Sequence, residues 1–159
     1  DNFLAEQILL LCSSQLGDTL DVNKTIEYSL KNYLVDLKNK PIWEDGSGLS
    51  RFNLFTPNTV LEVLHKLEQK IGDTERLKTF LPAGGVSGTI RTAYKIDNGK
   101  PFVWAKTGSL RYMHLQSGWI ETKKGKVYRY VFMNNNFIRP TSEIRAEMVR
   151  LMTEIHEKY

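Results

Sequence analysis

The spacing of apolar residues changes from helical to alternating near residue 100, and this change most constrains the fold. In the first part of the chain, apolar residues recur three or four positions apart, which predicts helices over about residues 4–16 (ended by Gly17), 21–38, 57–71 and 73–80. The later part alternates like strands at about residues 102–105, 113–122 and 127–134. An amphipathic helix follows, capped by Thr141 or Ser142.

This order of elements predicts an α+β fold, with a mainly helical part over residues 1–100 and a sheet part with a C-terminal helix over residues 101–159. Three strands and one covering helix form a thin layer with two open edges, so the chain is expected to be a portion of a larger domain. The single cysteine, Cys12, cannot form an internal disulfide and is expected to be a small buried hydrophobe.

Charge and composition limit the classes of partner that the chain is expected to bind. Hydrophobic residues make up 41% and charged residues 25%, the balance of a globular protein. The net charge of +4 is mild, and the basic cluster at residues 123–126 is accompanied by no aromatic or groove-reading motif. That cluster is interpreted as a solvated turn between two strands, and nucleic acid is not expected as a partner.

The stretch FVWAKTGSL, residues 102–110, places a lysine, a threonine and a glycine at the predicted end of the first strand. Lys106 would present a positive charge to an anion lying along the strand, and Gly108 would let a ligand backbone approach closely. The backbone N–H of Ser109 would be free to donate to a developing oxyanion. These parts suit a peptide that ends in a carboxylate and pairs with the sheet edge. The alternative is a lysine that extends from a strand end into a turn.

Four stretches together resemble the class C low-molecular-mass penicillin-binding proteins, which are serine-type D-alanyl-D-alanine carboxypeptidases. They are DNFLAEQILL, DGSGLSRFNLFTP, LPAGGVSGTIR followed by FVWAKTGSL, and LQSGWI. Lys-Thr-Gly is one of three motifs in this superfamily, beside Ser-x-x-Lys and Ser-Asp-Asn. The chain begins at what looks like the Asp-Asn of the last motif. Two positions depart from the family pattern: Ser87 stands where an acidic residue is expected, and Ser109 stands where the family usually has threonine.

The resemblance implies three catalytic residues. Asn2 would hydrogen-bond the amide carbonyl of the substrate and help to orient the catalytic lysine. Lys106 would hold the terminal carboxylate and support proton transfer with the serine of Ser-Asp-Asn. The N–H of Ser109 would be one oxyanion donor.

It also implies a substrate-binding set. Thr107 would bind the terminal carboxylate through its hydroxyl, Gly108 would admit the substrate backbone, and Leu110 would line the pocket. Arg51 would meet the acidic end of the stem peptide. Arg51 could equally pair with Asp45 and brace its own loop.

No serine in the chain is followed three residues later by a lysine, so the nucleophile of acyl-enzyme chemistry is absent from it. The resemblance places that Ser-x-x-Lys, and the first strands of a five-stranded sheet, in a missing N-terminal half of the same protein. The 159 residues alone are expected to be inactive.

The three histidines, His65, His114 and His156, do not have the spacing of metal ligands, and neither metal nor cofactor is expected. His114 near Ser109 is not interpreted as part of a catalytic triad.

The function implied is part of a serine D-Ala-D-Ala carboxypeptidase, with endopeptidase activity as a further option. Its substrates would be peptidoglycan stem peptides ending in D-Ala-D-Ala, in the periplasm or elsewhere outside the cytoplasmic membrane, and β-lactams would inhibit it. One alternative is an inactive module that binds cell-wall peptides, distinguished by a full gene without Ser-x-x-Lys. Another is a structural domain with an incidental Lys-Thr-Gly. The first interpretation requires Lys106 to face Asn2 across a shared groove.

Overall fold

The computed structural model describes all 159 residues, which group into two compact units, residues 1–59 and residues 60–159. The elements are α1 Asn2–Cys12, α2 Val22–Asn32, α3 Pro57–Ile71, α4 Thr74–Thr79, β1 Val103–Leu110, β2 Met113–Glu121, β3 Val127–Asn135 and α5 Thr141–Lys158. The predicted α+β fold of helices, three antiparallel strands and a C-terminal helix is confirmed. None of the helices combines the length and the apolar character needed to cross a membrane.

In the first unit, Glu6 on α1 braces the glycine-rich loop 45–53. Its two carboxylate oxygens accept hydrogen bonds from the backbone N–H groups of Gly46 and Ser47, each at 3.0 Å. A Cβ at position 46 would lie 2.5 Å from the carbonyl oxygen of Ala5, so glycine is required where the loop touches the helix. The loop is therefore fixed to α1 by two charge-assisted bonds and one close backbone contact.

In the second unit, the sheet has the order β1-β2-β3, and each neighbouring pair is antiparallel. The odd-numbered residues of β1 face α5, because Val103 and Ala105 are buried in one core with Ile120 of β2 and Met152 of α5. Strand residues alternate between the two faces, so the even-numbered residues of β1 face away from α5.

Helices α3 and α4 contact the other face of the sheet. The Lys78 ammonium of α4 lies 4.3 Å from the ring centroid of Trp104 and 2.8 Å from the Glu121 carboxylate. Arg129 of β3 donates to Glu68 of α3 at 2.8 Å. Side chains of α3 and α4 thus contact the face of the sheet opposite α5, at Trp104, Glu121 and Arg129.

Three local predictions were wrong. Strand β1 does not stop at Ala105 but continues through the Lys-Thr-Gly to Leu110, because the antiparallel ladder with β2 runs on to that residue. Helix α5 starts after Pro140 without a side-chain cap, so neither predicted hydroxyl performs that role. Cys12 is exposed rather than buried, because α1 turns Leu9 and not Cys12 inward.

Helix α2 ends six residues before the predicted boundary at residue 38, since Asn32 is its last residue. The N–H groups of Tyr33 and Leu34 both donate to the carbonyl of Ser29, at 2.9 and 3.0 Å. These two bonds close the last turn of α2. Helix α3, in contrast, has the predicted start, where Thr56 accepts from the N–H of Thr59 at 3.1 Å.

Candidate active site

The backbone of β1 forms hydrogen bonds on two sides, and the sides alternate along the strand. The N–H of Glu121 donates to the carbonyl of Phe102 at 2.9 Å, so the backbone N–H and C=O groups of even-numbered β1 residues point towards β2. The backbone groups of odd-numbered residues point away from β2, to the outer edge of the sheet. There, segment 82–84 pairs with Val103 at 2.8 Å and with Ala105 at 3.0 Å.

This outward pairing stops at Ala105. The outward backbone groups of Thr107 and Ser109 have no backbone hydrogen-bond partner. Lys106 turns its ammonium group onto the carbonyl of Thr107 and so brings its charge to the same edge. An unpaired N–H row beside a cation is suited to receiving an extended anionic peptide by strand addition.

A cavity of about 230 Å³ lies on the α5 side of this edge. Its apolar part includes Met148 and Val149 of α5. Its polar lining consists of Thr89, Thr107, Ser109, His114, Gln116 and Arg145. Side chains alternate between the two faces of β1, and Thr107 and Ser109 are the odd-numbered residues that follow the buried Ala105. Their side chains therefore face α5 and line the cavity.

Ser109 is connected to two basic side chains in this cavity. Its Oγ lies 2.8 Å from Nδ1 of His114, and Nη2 of Arg145 donates to the same Oγ at 3.4 Å. His114 is only 3% exposed. Burial, and then the charge of Arg145, lower the pKa of His114, so the imidazole is favoured in its neutral form.

Two further hydrogen bonds fix the rest of the polar lining. The hydroxyls of Thr89 and Thr107 are 2.7 Å apart, and the hydroxyl of Tyr94 donates to Oε1 of Gln116 at 2.8 Å. Burial raises the pKa of Tyr94 to about 12, so this phenol is a neutral donor. The bond occupies the carbonyl oxygen of Gln116 and leaves its amide nitrogen as a donor.

Five of the seven predicted site residues are consecutive on β1, over residues 106–110. Thr107 and Ser109 line the cavity, whereas the even-numbered Lys106, Gly108 and Leu110 are on the face of the strand that is turned away from α5. Asn2 and Arg51 belong to the first unit. Asn2 is the first residue of α1, and the side chain of Asp1 caps that helix by accepting from Leu4 N–H at 3.1 Å. That Asn2 faces Lys106 stays a prediction.

Arg51 lies exposed in a turn of the 45–53 loop. The carboxylate of Asp45 accepts from the backbone N–H groups of Gly48 at 2.8 Å and Ser50 at 2.6 Å. The loop is therefore braced from within by backbone donors to Asp45. The proposed contact of Arg51 with substrate stays a prediction.

Sequence reasoning missed Thr89, Arg145 and the part that His114 plays. The register of the β1-β2 hairpin could have revealed His114, since it places Ser109 directly opposite that residue. The structure brings Ser109 and His114 together, but the cavity lining includes no carboxylate to complete a triad. The third member is the guanidinium of Arg145, which repels a charged imidazole instead of stabilising it.

The sequence profile of the D-Ala-D-Ala carboxypeptidase 3 (S13) family matches residues 1–155. The chain belongs to this family. The resemblance to penicillin-binding carboxypeptidases that the motifs indicated is thereby confirmed.

Individual S13 relatives agree with this assignment. The chain is 35% identical over 114 residues to D-alanyl-D-alanine carboxypeptidase DacB of Haemophilus influenzae, covering 70% of this chain and 23% of the relative. It is 28% identical over 119 residues to penicillin-sensitive carboxypeptidase A of Dictyostelium discoideum, covering 69% and 23%. The chain thus matches about a quarter of the length of these curated relatives.

The fold also matches a solved structure. Penicillin binding protein 4 (dacB) from Haemophilus influenzae, complexed with a novel β-lactam, superposes with a TM-score of 0.83 at 24% sequence identity. The match covers 99% of this chain and 39% of that protein. At this identity the match shows the shared fold alone.

Proposed function

We propose that this S13 chain is part of a serine D-Ala-D-Ala carboxypeptidase that trims peptidoglycan stem peptides through an acyl-enzyme and binds β-lactams. The observation that carries the proposal is the outward edge of β1, where the N–H groups of Thr107 and Ser109 have no backbone partner and the Lys106 ammonium lies on the carbonyl of Thr107. A peptide tail that pairs with this edge would have the carbonyl of its reacting amide bond close to the Ser109 N–H. That N–H is the proposed oxyanion donor.

The roles follow from the groups present. Lys106 attracts the anionic substrate and supports proton transfer, Thr107 offers a hydroxyl to the carboxylate, and Gly108 leaves room for the substrate backbone. The nearest atom to a Cβ added at Gly108 is 3.8 Å away, on Leu115, so the chain itself leaves this space open. Asn2, Leu110 and Arg51 complete the proposed set.

The proposed reaction needs a nucleophile, and no serine of this chain has a lysine three residues later. The Ser-x-x-Lys is therefore supplied by another part of the complete protein, whose relatives are about four times as long as the matched segment. We place the reaction outside the cytoplasmic membrane, because peptidoglycan peptides are found there.

The test is covalent labelling of the complete natural protein with a fluorescent penicillin. We expect an adduct that survives denaturation in the wild type, slower labelling in Lys106→Ala, and no adduct on the isolated 159-residue chain. Lys100→Ala is the matched control, since Lys100 is an exposed lysine that precedes β1. Reversible penicillin binding without an adduct would replace the proposal with a peptide-binding module, and equal labelling of both lysine variants would remove Lys106 from the site.

A further inference from the structure

We propose that Arg145 of α5 binds the free C-terminal carboxylate of the substrate peptide, inside the cavity beside Thr107 and Ser109, and so selects peptides with a free carboxylate end. This assignment rests on the proposed peptidase function. It makes Arg145 a specificity-determining residue, supplied by the C-terminal helix and distinct from the Lys-Thr-Gly strand.

The first argument is charge. Arg145 is the one residue with a permanent charge among those that line the cavity, and no carboxylate lines it. Its near neighbour on α5, Arg150, is neutralised by Glu147 at 2.7 Å and Glu154 at 3.1 Å. Arg145 instead donates to the neutral hydroxyl of Ser109. A guanidinium without an acidic partner at a polar cavity is suited to bind an anion.

The second argument is the remaining polar lining. The hydroxyls of Thr89 and Thr107 hydrogen-bond to each other at 2.7 Å, and the hydroxyl of Ser109 accepts the hydrogen bond from Arg145. His114 is held by Ser109 at 2.8 Å and is buried. One hydroxyl proton of the Thr89–Thr107 pair is left free to donate, and together with the fork of guanidinium N–H groups it can serve the two oxygens of a carboxylate.

The third argument is size and apolar character. The cavity of about 230 Å³ is smaller than the roughly 300–1,000 Å³ of sites that enclose whole drug-sized ligands. Ala93, Met148 and Val149 form part of its wall. Such a cavity suits one terminal residue with a small apolar side chain, while the rest of the peptide lies along the strand edge.

The two cations are placed for different tasks. Lys106 has its ammonium group at the backbone edge of β1, on the carbonyl of Thr107. Arg145 approaches the strand from the α5 face, at the side chain of Ser109. A peptide paired with the edge therefore meets Lys106 along its backbone and Arg145 only where its terminus turns into the cavity.

The test compares two matched peptides, an N-acyl-D-Ala-D-Ala with a free carboxylate and the same peptide ending in a carboxamide. kcat/KM is measured for each with the complete natural protein. For Arg145→Ala we expect a loss of roughly tenfold to a hundredfold on the free acid, because a hydrogen bond to a charged group is removed, and little change on the carboxamide. Arg145→Lys should lose less, since it keeps the charge without the fork.

Arg150→Ala is the control for loss of an arginine from the same helix. It should leave kcat/KM unchanged for both the free acid and the carboxamide. Thermal unfolding of each variant separates misfolding from lost recognition, with Arg145→Lys as the second variant if Arg145→Ala unfolds. Equal losses on acid and carboxamide, or none on either, would overturn the role of Arg145 while leaving the peptidase intact. A wild-type protein that neither hydrolyses the acid nor forms a penicillin adduct would overturn the proposed function itself and this assignment with it.

Discussion

Ser109 and His114 lie directly opposite each other on β1 and β2, and their side chains hydrogen-bond at 2.8 Å. The pair connects the strand edge to the interior of the second unit, because Ser109 is exposed at the edge while His114 is 3% exposed. The backbone of Ser109 thus faces the proposed substrate while its side chain is fixed by a buried base. The bond orients the residue whose N–H is the proposed oxyanion donor.

The depressed pKa of His114 predicts a pH-dependent stability. In the unfolded chain a histidine takes up a proton near pH 6.5, whereas folded His114 resists protonation because it is buried and faces Arg145. The unfolded state then binds more protons, so the contribution of His114 to stability is full above about pH 6.5 and is lost as the pH falls towards the folded pKa. Denaturant unfolding between pH 5 and 8 measures this dependence.

The matched variant is His114→Gln, which keeps a polar side chain and cannot titrate. We expect its stability to fall less than that of the wild type across the same acid range. Arg145→Ala should raise the pKa of His114 in an NMR titration, since the charge of Arg145 contributes to the depression. Parallel pH profiles for wild type and His114→Gln would contradict the assignment of the effect to this residue.

The sequence predicted the elements well and the site only in part. Apolar spacing and the Lys-Thr-Gly located β1, but Gly108 led to a strand that was too short. The ladder to β2 overrides the weak strand preference of glycine, and it also carries the strand on to Ser109, opposite His114. Arg145 was not predictable, because its approach to Ser109 depends on how α5 packs on the sheet and leaves no local signal.

The carboxylate of Glu6 is expected to hold the 45–53 loop in place. Hydrogen bonds from Ser47 and Gly46 lower its pKa, so the bracing is complete above the ordinary carboxyl pKa and is lost only as the pH falls through the lower folded value. In Glu6→Gln, we expect faster amide hydrogen exchange at Gly46 and Ser47, because the neutral amide offers one acceptor oxygen in place of two. Glu27→Gln, on the exposed side of α2, is the control and should leave both amides protected. Unchanged exchange in Glu6→Gln would show that the loop holds itself.

Replacing Ser109 by proline tests the oxyanion role of its backbone. Proline removes the N–H but is tolerated at an outward-facing edge position, where no ladder bond is lost. We expect Ser109→Pro to slow penicillin acylation of the complete protein by roughly 10²–10³, the usual cost of one oxyanion donor. Ser109→Ala keeps the N–H and should slow acylation less than Ser109→Pro, because it loses only the hydroxyl hydrogen bonds with His114 and Arg145. Equal acylation rates in the two variants, with both folded, would exclude the N–H as a donor.

Two glycines of the hairpin provide a final contrast between packing and function. A Cβ at Gly118 would lie 2.0 Å from the carbonyl oxygen of Trp104 and 2.8 Å from Cα of Ala105, whereas at Gly108 the nearest atom is 3.8 Å away. Gly118→Ala should therefore destabilise the protein by at least about 1–3 kcal/mol, since neither backbone atom can move freely. Gly108→Ala should leave the unfolding midpoint nearly unchanged but slow penicillin acylation, because its methyl group occupies space proposed for the substrate backbone. If Gly108→Ala acylated at the wild-type rate, the substrate would not approach the strand at this residue, and the peptide would have to be placed elsewhere along the edge.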